Sequence, residues 1–198
     1  MTLLELLLAL SITVLTGAAA AAITLAVARS LTSMNDSRSV TNRANLVQAR
    51  LRGVTDTASC VLETNLDKGV AVWAGDDNPN GRVNISELRI IWFNKAEARV
   101  TTERVQWPAG FTPEVITAND LVLAAADDPF GAIEAQRALG RTVTQIIGDR
   151  LTVSAIDADD KTTIDAHRFR VFSTIISDAG EPVELLTCLA LPDYAKPQ

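Results

Sequence analysis

The chain is poor in the residues that carry most enzyme chemistry. It has one histidine, two cysteines, and aromatic residues at only 5% of its 198 positions. Two cysteines as far apart as Cys60 and Cys188 exclude a cysteine-based zinc site. The lone His167 lies in a strand-like run beside Arg168 and Arg170, which suits a surface or packing role. There is no Gly-x-Ser-x-Gly elbow, phosphate loop or His-Glu-x-x-His pair, so nothing points to an enzyme. Carboxylate pairs such as Asp127-Asp128 sit in turn-forming composition, and Trp73, Trp92 and Trp107 read as core or sheet-face residues. Proline is absent before Pro79, so no imino acid interrupts a helix in the first third. No Lys or Arg precedes Arg29, which argues against a secretory signal peptide with its basic start.

What is there begins at the N-terminus. Residues 6–28 contain no charge, a run long enough to cross a bilayer as a helix. Glu5 stands at its edge, where a carboxylate is expensive unless a cation answers it. Arg29 is roughly 36 Å away along a helix. The nearest cation in sequence is the α-amino group of Met1, if free, either its own or that of a second copy. A carboxylate satisfied only by a neighbour's terminus would set the stagger of an assembly.

The residues Thr2-Leu3-Leu4-Glu5-Leu6-Leu7-Leu8-Ala9 resemble the start of a mature type IV pilin or type II secretion pseudopilin. In that family a short leader is cleaved, the new first residue is methylated, and glutamate occupies the fifth position. Here Met1 stands where Phe is usual, and the helix-loosening Pro of many members is absent. The resemblance implies a processed chain and a structural role. It would be held in the bacterial inner membrane by a single span, with its head in the periplasm or outside. It would then be drawn into a filament with other pilin or pseudopilin subunits. An ordinary single-span anchor on a monomeric extracytoplasmic binding or enzymatic domain is the alternative. That reading gives Glu5 no purpose.

Beyond the apolar run, Val40, Ala44, Val47, Leu51, Val54 and Ala58 recur at spacings of four and three. They form one apolar stripe and predict a helix over residues 2–58, about 85 Å long. Two helices broken near residues 30–36 are the other reading of this stretch. Strand-like runs follow at 60–64, 70–73, 88–93 and 99–107. Residues 119–126 look helical and 132–139 suggest a short helix. Runs at 151–156, 167–176 and 183–191 form a later meander. The expected fold is α+β, a long helix packed on an antiparallel sheet. Residues 1–28 would be its membrane or filament-core half, 29–58 its amphipathic half and 59–198 a β-rich head. This layout is similar to that of pilins, and its length and two-part sheet most resemble a J-type minor pseudopilin. Of the formal charge of −6, residues 1–52 carry +3 and the rest −9. An acidic head argues against nucleic-acid binding.

One loop could carry a cofactor. Asp76, Asn78, Asn80, Arg82 (through its carbonyl), Asn84 and Glu87 fall at positions one, three, five, seven, nine and twelve of a calcium loop, with Gly81 at six. Ca²⁺ there would order the loop at an affinity of about 10⁻⁴ to 10⁻³ M. An ordinary polar hairpin fits equally, since Asn-Pro-Asn-Gly is itself a turn signal. Asp157, Asp159 and Asp160 form a second acidic turn without the glycine or terminal glutamate. A Cys60–Cys188 disulfide would join the helix exit to the last strand and contribute about 4–5 kcal/mol. Two buried free thiols are the alternative.

Overall fold

The computed structural model describes residues 3–77, 79–124, 127–159, 165–191 and 197. One helix, α1, runs unbroken over Leu3–Thr55. Its hydroxyl side chains reinforce it. Ser11, Thr16, Thr24 and Thr32 each donate to the carbonyl four residues back, so the apolar half leaves these polar groups satisfied. The stretch at 30–36, where a break was conceivable, is helical throughout.

Strands β1 (Cys60–Asn65), β2 (Gly69–Trp73), β3 (Leu88–Asn94), β4 (Arg99–Val105) and β5 (Thr142–Asp149) form one antiparallel sheet in that order. Strands β6 (Leu151–Ala158), β7 (Arg168–Ile176) and β8 (Pro182–Ala190) form a second. The architecture is therefore α+β. The main core lies where α1 and both sheets meet. Val40, Val47, Leu51, Val54 and Ala58 are buried there with Ala44 against them, beside Ile91, Phe93, Ile147, Leu151, Phe169 and Leu189. Alternation along the strands puts one apolar face toward the helix.

The far face of the five-stranded sheet has its own cover. Helix α3 (Pro129–Ala138) starts at Asp128, whose side chain accepts from Phe130 N–H, with Pro129 in the first turn. It lays Phe130 and Ile133 on Leu88, Ile90 and Val105. Trp92 packs against this second cluster, and Trp73 is buried with Cys60 and Val83.

Two segments differ from the sequence reading. The helix expected at 119–126 lies earlier, as α2 (Pro113–Asn119), because Thr112 caps it and Pro113 opens it. Residues 121–123 are drawn out instead, with Ile85 N–H donating to Leu121 O and Leu123 N–H to Val83 O; Ala125 and Ala126 lie outside the described residues. Strand β5 was not anticipated.

Candidate functional site

Among the described residues, nothing in the head packs against the apolar half of α1. Leu3, Leu4, Leu10, Val14, Leu15 and Ile23 are each more than half exposed, and none of the most apolar stretch is buried. The helix is long and apolar enough to cross a membrane, a test that a signal sequence near the N-terminus also passes. The first tie to the head is at Asp36, whose Oδ1 accepts from Asp178 N–H at 2.8 Å. Residues 3–35 thus project about 50 Å without support from the described residues of the head. Covering a dozen such side chains is worth more than about 10 kcal/mol, so water is the wrong solvent for this segment. Met1 and the side chain of Glu5 lie outside the described residues.

The joint between helix and head is polar. Asp178, in the turn before β8, accepts from Ser39 Oγ at 2.9 Å and from Arg150 Nη1 at 2.6 Å, with Arg43 Nη2 at 3.4 Å. These partners, the Ser39 hydroxyl first and then Arg43, hold its carboxyl below the usual range. Arg43 also donates to Ile176 O at 3.2 Å.

The candidate calcium loop lies between β2 and β3, closed by a 3-10 turn at Ile85–Glu87. Asp76 accepts from Asn80 N–H at 3.2 Å and from Gly81 N–H at 2.9 Å. Gly81 has φ +68°, the left-handed turn the motif asks of glycine. Asn80 Oδ1 accepts from Arg82 N–H at 2.7 Å, and its amide donates to Asn84 Oδ1 at 3.3 Å. Glu87 is buried; its Oε2 accepts from Asn84 N–H at 3.1 Å and from the Trp73 indole at 3.0 Å. Asp76, Asn80, Arg82, Asn84 and Glu87 are therefore brought into one loop, while Asn78 lies outside the described residues. These bonds close the turn by themselves. A bound cation would require the Asn80 amide to turn and Glu87 to share its capping role. Among the described residues, no group of three His, Cys, Asp or Glu side chains is clustered for a metal.

The second acidic turn is similarly occupied. Asp159 accepts from His167 and Arg168 N–H, and Asp157 pairs with Arg170; Asp160 lies outside the described residues. The disulfide is corrected. Both cysteines are free, Cys60 on β1 of one sheet and Cys188 on β8 of the other. Cys60 is fully buried beside Trp73 and Val83, and burial pushes its pKa up to about 12. Cys188 is exposed on β8, so the alternative of two buried thiols holds for Cys60 alone.

A cationic groove beside β5 escaped the sequence reading. It gathers Arg50, Arg89 and Arg104, which are far apart in sequence, and only the strand register brings the last two face to face. No protein-family model, curated protein or solved structure matches this chain.

Proposed function

We propose that the chain is a pilin-like structural subunit of a type IV pilus-like or type II secretion filament, inserted through its N-terminal helix. One observation carries this reading. A single 53-residue helix packs one face on the head over its upper half, and the described side chains of its lower half are exposed and mostly apolar. Such a segment can rest in lipid as a single span and later exchange lipid for other helices of the same kind. The exchange costs little, since both surroundings are apolar.

Glu5 gives the exchange its register. It stands at the edge of the uncharged run, and no Lys or Arg precedes Arg29. The methylated or free amine of a neighbour's Met1 is the cation within reach in a staggered bundle. Glu5→Ala is expected to insert in the inner membrane normally and to lose filament incorporation, with Glu5→Asp retaining part of it. Normal incorporation of Glu5→Ala would reject the pairing. The rival, a monomeric anchored extracytoplasmic binding or enzymatic domain, requires that Glu5 substitutions change nothing beyond insertion.

The Asp76–Glu87 loop offers a second, subordinate proposal. Its left-handed Gly81 and its inward Asp76 carboxylate suit a weakly held Ca²⁺ that would stiffen the β2–β3 connection. Millimolar Ca²⁺ should then raise the melting temperature of the parent and not that of Asp76→Ala with Glu87→Gln. A parent indifferent to Ca²⁺ dismisses the site.

A further inference from the structure

Strand β5 ends the five-stranded sheet, and among the described residues no strand pairs with its outer edge. Residues 142–148 contain neither a charge nor a proline, the usual devices that keep an edge from recruiting another chain. Arg50 Nη1 donates to Ile146 O at 3.0 Å and to Ile147 O at 3.1 Å, so α1 closes one end of this edge. Thr144, Gln145 and Ile146 stay exposed.

Beside them lies a groove of about 620 Å³, bounded by Arg50, Val54, Arg89, Thr102, Arg104 and Gln145. Arg89 and Arg104 sit directly opposite each other in the β3–β4 register. Like charges in that position repel, yet no carboxylate among the described residues forms an ion pair with Arg50, Arg89 or Arg104. Among the described residues, the Arg89 side chain donates to the Thr57 hydroxyl alone, at 3.3 Å. Burial, and then the charge of Arg104, hold its pKa below the usual arginine range, with Asp77 opposing weakly. Arg89 and Arg104 stand in a stretch, residues 53–198, of net charge −9, and with Arg50 beside them the groove is a local inversion of sign.

We infer that the open edge of β5 and the Arg50–Arg89–Arg104 groove form one docking site for an extended, carboxylate-bearing peptide segment of a partner protein. The edge supplies main-chain hydrogen bonds, and the groove reads alternate side chains of the added strand. A strand added to β5 would lie two strand spacings, about 10 Å, from β4 and three, about 14 Å, from β3, so a glutamate on the groove's face meets Arg104 first, with Arg89 behind it. Arginine suits this because its planar fork takes a carboxylate with two bonds. The open main-chain edge favours a peptide over a polyphosphate, which has no backbone amides to pair with it. Arg50 stands about 33 Å along α1 from Ala28, which takes the groove away from a bilayer surface. The site does not depend on filament assembly, since an anchored monomer would carry the same edge and groove.

The test uses the full chain in nanodiscs of zwitterionic lipid at low salt. The probe is a fluorescein-labelled peptide, Glu-Val-Glu-Thr-Glu-Val, read by anisotropy. Saturable binding is expected, weakened about tenfold or more by Arg89→Gln with Arg104→Gln, and weakened again when alternate peptide amides are N-methylated. The melting temperature of the double variant reports that it folds. A peptide in which Lys replaces Glu should not bind. Absence of binding by the acidic peptide, or undiminished binding to the double variant, overturns the proposal. Equal affinity for the N-methylated peptide removes strand addition, and equal affinity for an oligothymidylate makes the groove a polyanion patch; either result overturns it too. Failure here leaves the Glu5 assembly experiment unaffected, so the two readings fail separately.

Discussion

Arg137→Met tests the electrostatics of the head. Glu103 on β4 is buried, its side chain shut off from solvent, on the sheet face that carries α3. Arg137, near the end of α3, grips it with two bonds, Nε to Oε1 at 2.9 Å and Nη2 to Oε2. The Trp92 indole donates to Oε2 at 2.6 Å, and the guanidinium lies 4.8 Å above the Trp92 ring. Burial pushes the Glu103 pKa up, but the bonds from Arg137, Thr142 and Trp92 outweigh it and hold the carboxyl below its usual range. Methionine keeps the stem and deletes the charge. Breaking a buried pair costs about 3–5 kcal/mol. Arg137 is 48% exposed, so water would partly replace it, and about 2–3 kcal/mol is expected at pH 7.

The pH dependence gives the sign. In the parent, the lowered folded pKa contributes stability above the unfolded carboxylate value of about 4.3, and that contribution is lost as pH falls through the folded pKa. In Arg137→Met, burial dominates and raises the folded pKa. The penalty should therefore shrink between pH 7 and pH 4 as Glu103 takes up a proton. Adding Glu103→Gln should recover part of the loss at pH 7. Urea unfolding of the full chain in micelles, followed by tryptophan fluorescence, measures all three. A loss below about 0.5 kcal/mol at pH 7, or a penalty constant with pH, refutes the reasoning.

Other outcomes follow from local geometry. Gly69 has φ +152°, and an added Cβ would meet Ile91 O at 1.9 Å, so Gly69→Ala should cost more than about 3 kcal/mol in the same urea assay. A Cβ on Gly148 would lie 2.6 Å from Val47 Cγ2; Gly148→Ala should cost about 1–3 kcal/mol, and Val47→Ala in that background should cost less than it does alone. With Cys60 buried and its thiol pushed up to about 12, maleimide should label only Cys188 in the native chain, and Cys188→Ser should leave nothing to label until urea is added. The lowered pKa of Asp178, due first to Ser39 and then to Arg43, makes its support of the helix–head joint complete above about pH 4. That support is lost as pH falls through the folded value. Protection factors of residues 36–44, taken relative to the intrinsic exchange rate at each pH, should fall there in the parent and change less in Asp178→Asn.

Much of this fold is legible because its helix and most strands carry their own periodicity. The stripe from Val40 to Ala58 declares a buried face, and the whole stripe enters the core. Strand β5 was not legible because Thr142-Val-Thr-Gln-Ile mixes polar and apolar residues on an edge open to water, where neither face is uniformly apolar. Residues 119–126 misled because Leu121-Val-Leu-Ala-Ala has helical composition, while the actual start signal, Thr112-Pro113, lies upstream. The Asp120 carboxylate is drawn off by Ser86, 34 residues away. The loop positions could be counted in the sequence. That Trp73 would claim Glu87 could not, since the bond depends on how β2 and β3 are paired. The arginine groove is a product of register alone, for Arg89 and Arg104 become neighbours only once β3 and β4 are aligned.

In the pilin-like role proposed above, the two halves of the helix are stabilised by different media, which makes them separable by experiment. Val47 is 1% exposed between the two sheets, whereas Leu15 is 69% exposed and touches none of the head core. Val47→Ala removes two methyl-sized groups from a filled site and should cost about 1–2.5 kcal/mol of head stability. Leu15→Ala deletes a larger side chain, yet it should move the urea midpoint of the head by less than about 0.5 kcal/mol, because Leu15 is no part of the described head core. Its cost belongs to insertion and assembly, read by carbonate extraction and by filament incorporation. If Leu15→Ala instead weakened the head as much as Val47→Ala, the lower half would have to fold back on its own chain, and its apolar surface would no longer call for a neighbour.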